Sequence, residues 1–357
     1  MVGKGLIMTS RSLAGLRTEQ DLSRYSTYEI GGEARFVGTP QSQEQLRELL
    51  ELAYRRGIEP TFFGGGSNML FPDRPDPDAL FLTTREMVDF KLEGDRLVVS
   101  SGMPMSMLAV IGYGLGISDF DFAFLLPGTV GGGVYMNAKY FDRHISDTLV
   151  NVHYVDLQRP SGILTLGREA CGFGYKQSVF QDNSSNWLIV GAEFKLSSPS
   201  REAVSLLALP ELIALREGKL PPTRLPEFAS HFIGWLEDKE GEKGEDSALT
   251  PLRKVVQDRV GKMHFTYPSC GSVFKNDYTV GEPIGKLADR LHLRGVQRGN
   301  ARISPVHGNV IQNIGGAKAA DVIELIHHVQ DAFDRHYGFV PEPEVVVIEG
   351  KSSSHRC

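Results

Sequence analysis

Two stretches of this chain join glycine runs to small hydroxyl and amide side chains: Gly64-Gly65-Gly66-Ser67-Asn68 and Pro127-Gly128-Thr129-Val130-Gly131-Gly132-Gly133, the second running on to Asn137. Residues without a Cβ let consecutive backbone N–H groups converge on one anion, and they tolerate the positive φ of a concave loop. Two such loops point to two arms on an extended anionic ligand, such as a dinucleotide pyrophosphate. Neither run follows the G-x-G-x-x-G fingerprint or the G-x-x-x-x-G-K-[ST] phosphate loop, so the expected nucleotide site has another architecture. Taken singly, each run also reads as a plain turn. Ser67 and Asn68 add hydrogen-bonding side chains that a bare turn does not need.

Three more places carry reactive types. Phe173-Gly174-Tyr175-Lys176-Gln177-Ser178-Val179-Phe180 sets one cation among aromatic residues, with an exposed lysine on a strand turn as the alternative. In Pro268-Ser269-Cys270-Gly271-Ser272-Val273-Phe274-Lys275-Asn276, small neighbours leave the Ser272 hydroxyl room beside a ligand, and Asn276 and Lys262 suit phosphate or carbonyl oxygens. Cys270 has no histidine beside it and reads as a packing residue. Glu344, after Pro343 at a strand start, suits an acid or electrostatic partner, or is simply an edge-strand charge. His327 and His328 are adjacent on a helix and face different ways, so no metal site is expected.

The elements that must position these residues are partly legible. Ser42 with Gln45 forms a capping pattern, and Leu46, Leu49, Leu50 and Ala53 lie on one helical face until Gly57. Strands are expected over 59–63, 80–84, 96–100, 149–157, 187–196 and 345–348, and a helix over 105–113. The stretch 319–337 reads as a long helix stopped by Gly338. Residues 203–215 look helical, 220–226 are proline-rich, and 237–246 lack any apolar residue, so 199–258 is expected to be an insertion or linker, partly mobile. Paired strands and helices at irregular intervals indicate α+β.

Bulk properties exclude several classes. The 357 residues, 41% hydrophobic and 23% charged, suit a soluble globular protein of two or three domains. A net charge of −6 with interspersed signs gives no basic field for nucleic acid or an anionic membrane. Three cysteines without metal spacing argue against a disulfide framework, and no apolar run reaches the ~20 residues of a membrane span. A reduced, cytoplasmic protein is expected, with no protein partner inferable.

In order along the chain, further segments join those above: Ser26-Thr27-Tyr28-Glu29-Ile30-Gly31-Gly32-Glu33-Ala34, Met136-Asn137-Ala138, Arg259-x-x-Lys262, Gly285-Lys286-Leu287, Leu293-x-Gly295, Ser304 to Asn313, and Glu342-Pro343-Glu344-Val345. Together, from about residue 24 to 350, they resemble the UDP-N-acetylenolpyruvoylglucosamine reductase family of peptidoglycan precursor synthesis. The resemblance implies a vanillyl-alcohol-oxidase-type FAD-binding fold of two α+β subdomains over 21–198, after an N-terminal extension 1–20. It implies a C-terminal α/β substrate-binding subdomain over 259–342, a strand 343–350 returning to the active site, and a tail 351–357. It also implies non-covalent FAD, NADPH as co-substrate and a UDP-sugar as substrate. Hydride would add to the terminal vinyl carbon of the enolpyruvyl ether, and charge would spread into the carboxylate.

By the same resemblance, Lys176 and Glu344 would stabilise that enolate and Ser272 would protonate the carbanion. Gly64, Gly65, Gly66, Ser67, Asn68, Pro127, Gly128, Thr129, Gly131, Gly132 and Asn137 would bind FAD. Tyr175, Lys262, Asn276 and His307 would bind the UDP-sugar. The chain departs from the pattern at Lys176, where most members carry arginine, and at Lys139-Tyr140-Phe141-Asp142, where small residues are usual. Its Tyr-Pro-Ser-Cys-Gly-Ser form looks like the branch without an extra substrate-clamping loop. The alternatives are a flavin oxidase of the same fold and a catalytically silent flavin-binding protein.

Overall fold

Helix Gln43–Arg56 begins where Ser42 Oγ accepts the Gln45 N–H at 3.3 Å, and it ends where Gly57 turns left-handed at φ +63°. Its apolar face, Leu46, Leu49, Leu50 and Ala53, is buried. This computed structural model describes residues 13–158, 162–199, 224–240, 250–262 and 265–350, except the side chains of 235, 236, 239, 240 and 278. The described residues fall into two units, each assembled from separated stretches. The first draws on Met1–Thr18, Arg35–Gly65 and Asp78–Asp258, the second on Glu19–Ala34, Gly66–Pro77 and Arg259–Cys357.

The first unit holds an antiparallel five-stranded sheet in the order Leu164–Gly167, Leu149–Asp156, Trp187–Lys195, Arg96–Ser100 and Phe90–Glu93. The β-branched and aromatic content of Trp187–Lys195 suits its central place, where only its ends reach solvent appreciably. Phe36, Val37 and Gly38 pair in parallel with Leu80, Phe81 and Leu82, which also pair in parallel with Thr61 and Phe62. Leu46, Leu49, Leu50, Leu82, Met87, Val155, Leu188 and Val190 form one core cluster. Helix Met105–Gly114 is buried along its whole length.

Where a linker is expected over 199–258, the described residues form packed helices. Helices Leu225–Glu240 and Thr250–Gly261 occupy the described part, and Leu225, Ala229, Phe232, Ile233, Leu252 and Val255 are buried. The Phe232 ring lies 6.3 Å from that of Phe124. The charged run begins inside a helix, where Glu237 pairs with Arg253 at 2.5 Å. Charge density hid this because the anchoring apolar residues lie on either side of the run. The predicted helix over 203–215, the start of the proline-rich stretch and residues 241–249 lie outside the described residues, as do most of the N-terminal extension and the tail.

In the second unit, helix Ala319–Tyr337 packs Val322, Leu325, Ile326, Val329 and Phe333 into a core with the antiparallel strands Ala301–Ile303 and Ile311–Asn313. Gly338 ends it at φ +73°. Val346–Val347 pairs in parallel with Met69–Leu70. Glu19–Ala34 and Gly66–Pro77 therefore group with the C-terminal residues rather than with a contiguous 21–198. Such pairing between distant stretches leaves no periodic trace in either. The mixed parallel and antiparallel sheets with helices are of the α+β class.

Candidate functional site

The two glycine runs meet inside the first unit. A Cβ at Gly64 would stand 2.4 Å from Thr129 Oγ1, and one at Gly65 2.9 Å from Gly128 Cα. Here glycine permits two backbones to approach. Thr83 Oγ1 donates to Gly64 O at 2.8 Å. Thr129 caps the short helix Val130–Tyr135, its Oγ1 accepting the Gly132 N–H. The Val130 and Gly131 N–H groups donate to Met103 O and Ser101 O, both at 2.8 Å. Most amides of the second run are thus engaged by the fold, and its capacity for an anion rests with Gly128 and Thr129, just after Pro127. Gly66, Ser67 and Asn68 belong to the second unit. Gly66 sits at φ +62° with a Cβ position 1.9 Å from Tyr25 O, so no other residue fits. Asn68 Nδ2 donates to Glu344 O at 2.9 Å.

Lys176 occupies a tight turn at φ +54°, a left-handed conformation that a lysine keeps only when its neighbours hold it. The backbones of Gly174 and Gln177 pair to close the turn, and side chains hold it from outside. Gln181 Nε2 donates to Lys176 O at 3.0 Å and to Tyr135 O at 2.9 Å, while Ser178 Oγ donates to the same Tyr135 carbonyl at 2.7 Å. Asn137 Nδ2 donates to Gly174 O at 2.8 Å, tying this turn to the residues after the second glycine run. Tyr175 and Lys176 are both half-buried. Asn137 is 4% exposed, and its Oδ1 meets no hydrogen-bond donor among the described residues. A buried acceptor of that kind costs about 1–3 kcal/mol unless a donor meets it. It fits a ligand that carries an N–H, as a flavin ring does.

In the second unit, backbone pairing holds the segment that carries Ser272 against the one that carries Glu344, with Glu344 opposite Val273, the neighbour of Ser272. The Glu344 N–H donates to Val273 O at 2.7 Å, Phe274 bridges Pro343, and Ser272 bridges Val310. Asn309 clamps this strip, its Nδ2 donating to Phe274 O and its Oδ1 accepting from Phe274 N, both at 2.9 Å. Ser272 is exposed and Glu344 half-buried. Asn276 Oδ1 accepts the Ile284 N–H at 3.0 Å, which orients its amide. His307 Nδ1 accepts the Asn309 N–H at 3.2 Å, and burial pushes its pKa down against the opposing pull of Asp289. A neutral His307 therefore carries its proton on Nε2, a donor for a phosphate or carbonyl oxygen. Lys262 is exposed and adds its charge to the surroundings of His307.

Cys270 is a packing residue. It lies in the core, where burial pushes its thiol up to about 12 and its Sγ donates to Met69 O at 3.3 Å. Ser272, Glu344, Asn276, Lys262 and His307 share the second unit, while Tyr175, Lys176, Asn137 and the Gly128 run share the first. The sequence reading did not single out Gln181, Ser178 or Asn309 as the residues holding these turns. Their only trace was membership of quoted segments or closeness to them.

Comparison with known proteins bears on both units. Residues 34–166 match a family described as an FAD binding domain. Residues 263–348 match the UDP-N-acetylenolpyruvoylglucosamine reductase C-terminal domain. A UDP-N-acetylenolpyruvoylglucosamine reductase of Halalkalibacterium halodurans is 30% identical over 334 residues, covering 93% of this chain and 94% of the relative. One of Synechocystis is 30% identical over 344 residues, covering 94% and 93%. The crystal structure of UDP-N-acetylenolpyruvylglucosamine reductase from Thermus caldophilus aligns with a TM-score of 0.67 at 24% identity, over 94% of this chain and all of that one.

Proposed function

Because this chain belongs to the UDP-N-acetylenolpyruvoylglucosamine reductase family, we propose a residue-level account of how it performs that family's reaction. The protein is an FAD-containing oxidoreductase that reduces UDP-N-acetylglucosamine enolpyruvate to UDP-N-acetylmuramate with NADPH, in peptidoglycan precursor synthesis. Bound FAD supplies the hydride chemistry that links NADPH to the vinyl carbon. Gly64, Gly65, Gly128 and Thr129 would hold it with their backbone, helped by Gly66, Ser67, Asn68, Pro127, Gly131 and Gly132. The Asn137 Oδ1 acceptor would meet a ring N–H.

The chain's own residues manage charge and protons. Lys176 opposes the negative charge that grows on the substrate carboxylate as hydride arrives. Lysine gives that charge without arginine's planar two-bond grip. Glu344, acting as the carboxylic acid, donates a hydrogen bond to the same enolate, and Ser272 Oγ delivers the proton to the carbon next to the carboxylate. Tyr175, Lys262, Asn276 and the neutral His307 would hold the UDP-sugar through its phosphate and carbonyl oxygens. The observation that carries this reading is the main-chain pairing of the Ser272 segment with the Glu344 segment, since a flavin oxidase or a silent flavin protein has no use for a hydroxyl and an acid gathered on one strip. A reducing, cytoplasmic setting is consistent with the free Cys171 and Cys270. No helix among the described residues is long and apolar enough to cross a membrane.

The test is the visible spectrum of the purified protein and its response to NADPH, with and without the enolpyruvyl substrate. A yellow protein, bleached by NADPH and recoloured anaerobically by the substrate, is expected. Recolouring by oxygen alone, or no bleaching, would refute the reading.

A further inference from the structure

Asn137 carries the buried acceptor of the first unit, yet it stands at φ +44°, where a residue with a Cβ needs outside support. Four residues on, Phe141 is also left-handed, at φ +51°, in the turn between the paired segments Lys139–Tyr140 and Arg143–His144. The small hairpin is tied at its base, where Ala138 N–H donates to Gly133 O at 2.7 Å and Ile145 N–H to Ala138 O at 2.9 Å. Its tip rests on helix Thr250–Gly261. Tyr140 donates its hydroxyl to the Asp258 carboxylate, and Lys254 Nζ lies 5.7 Å from the centroid of the Phe141 ring. The Tyr140 and Phe141 rings are 4.6 Å apart, so the two contacts act on one aromatic pair. The helix can bear the load, since Leu252 is 0% and Val255 2% exposed, and Arg253 pairs with Glu237 on the preceding helix.

We propose that helix Thr250–Gly261 is a brace for the flavin loop, and that Tyr140 and Asp258 are positioning residues that set the Asn137 amide through the hairpin between them. The inference rests on the flavin-binding reading above. A hydroxyl donating to a carboxylate is among the stronger hydrogen bonds, and it fixes the hairpin at the end opposite Asn137. Asn137 is fixed in turn by Gly174 O on the side of Lys176, so hairpin and Lys176 turn share one amide. Loss of the brace should let Asn137 relax towards ordinary φ and withdraw its Oδ1 from the ring donor.

The experiment uses flavin-loaded full-length protein and its Tyr140→Phe, Asp258→Ala and Asp258→Asn variants, with Leu49→Ala as a fold-destabilising control in the same unit. FAD release on dilution is followed by the recovery of flavin fluorescence, and the midpoint potential of the bound flavin is measured beside it. Tyr140→Phe and Asp258→Ala should each speed release about tenfold, the scale of one charge-assisted hydrogen bond. Both should shift the potential, and the double variant should be no worse than either single one. Asp258→Asn, which keeps an acceptor, should retain most of the grip. Leu49→Ala should lower the melting temperature without moving the potential. Parent-like release and potential in Tyr140→Phe and Asp258→Ala, or losses that simply add, would overturn the brace while leaving the flavin reading intact. A parent that carries no flavin would overturn both.

Discussion

The turn that carries Lys176 and the strip that carries Ser272 and Glu344 differ in how much they lean on side chains beyond their main-chain pairing. Lys176 stands at φ +54° in a turn closed by the short Gly174–Gln177 backbone pair, and its carbonyl and its neighbours are held by side chains: Gln181 on Lys176 O, and Ser178 with Gln181 on Tyr135 O. The Ser272 and Glu344 segments are joined by main-chain pairing, with the Asn309 side chain on both the N–H and C=O of Phe274 and Asn68 Nδ2 on Glu344 O. A position set by backbone pairing survives most neighbouring substitutions, because nearly any residue supplies the same N–H and C=O. One set by side chains is only as secure as each of them. The cation of the proposed reaction should therefore be the easier to misplace, and the proton donor and acid the harder.

Substitutions at four residues and a control probe that contrast, in descending order of effect. Ser272→Ala should leave flavin reduction by NADPH intact and slow reoxidation by the enolpyruvyl substrate by about a hundred- to ten-thousand-fold, the range for loss of a general acid. Stopped-flow traces of the two half-reactions separate this from a structural serine, which would harm both. Lys176→Met should slow the same half-reaction by roughly a hundred- to a thousand-fold, while Lys176→Arg keeps much of the rate. Reoxidation of the Met variant at the parent rate would remove Lys176 from the mechanism.

Asn309→Leu attacks the strip at the side chain that clamps Phe274. Removing two buried hydrogen bonds should cost about 2–4 kcal/mol in urea unfolding. A cost below about 1 kcal/mol would mean that main-chain pairing holds the strip unaided. Gln181→Leu should cost less, about 1–2 kcal/mol, yet slow reoxidation about tenfold by loosening the Lys176 turn. An unaltered rate there would break the comparison, for it would show the turn indifferent to its side-chain supports. Glu237→Ala serves as the control outside both regions. Its pair with Arg253 is partly exposed, so the change should stay within about 0.2–1 kcal/mol with no kinetic effect.

What the sequence determined by itself is whatever depends on neighbours a few residues apart. The apolar stripe of Ala319–Tyr337 with its left-handed Gly338, and the Ser42 cap with Gly57 on Gln43–Arg56, were legible because helical period and cap chemistry are local. Strands 96–100 and 187–195 were legible through β-branched content, with ends uncertain by a residue or so. The candidate residues were legible as well, chiefly from the order of short motifs rather than from any one spacing. Only the tertiary structure decided the rest. It drew Glu19–Ala34 and Gly66–Pro77 into the second unit, gave Gly64 and Gly65 the task of admitting Thr129 and Gly128, and put Glu237, where the charged run begins, on a helix anchored by buried Leu225, Ala229, Phe232 and Ile233. It also set Asp258 on Tyr140. Each of these joins stretches far apart in the chain, and a contact of that kind constrains residue types at both ends without imposing a period on either. Local chemistry writes itself into the sequence, whereas long-range packing is settled only when the chain closes on itself.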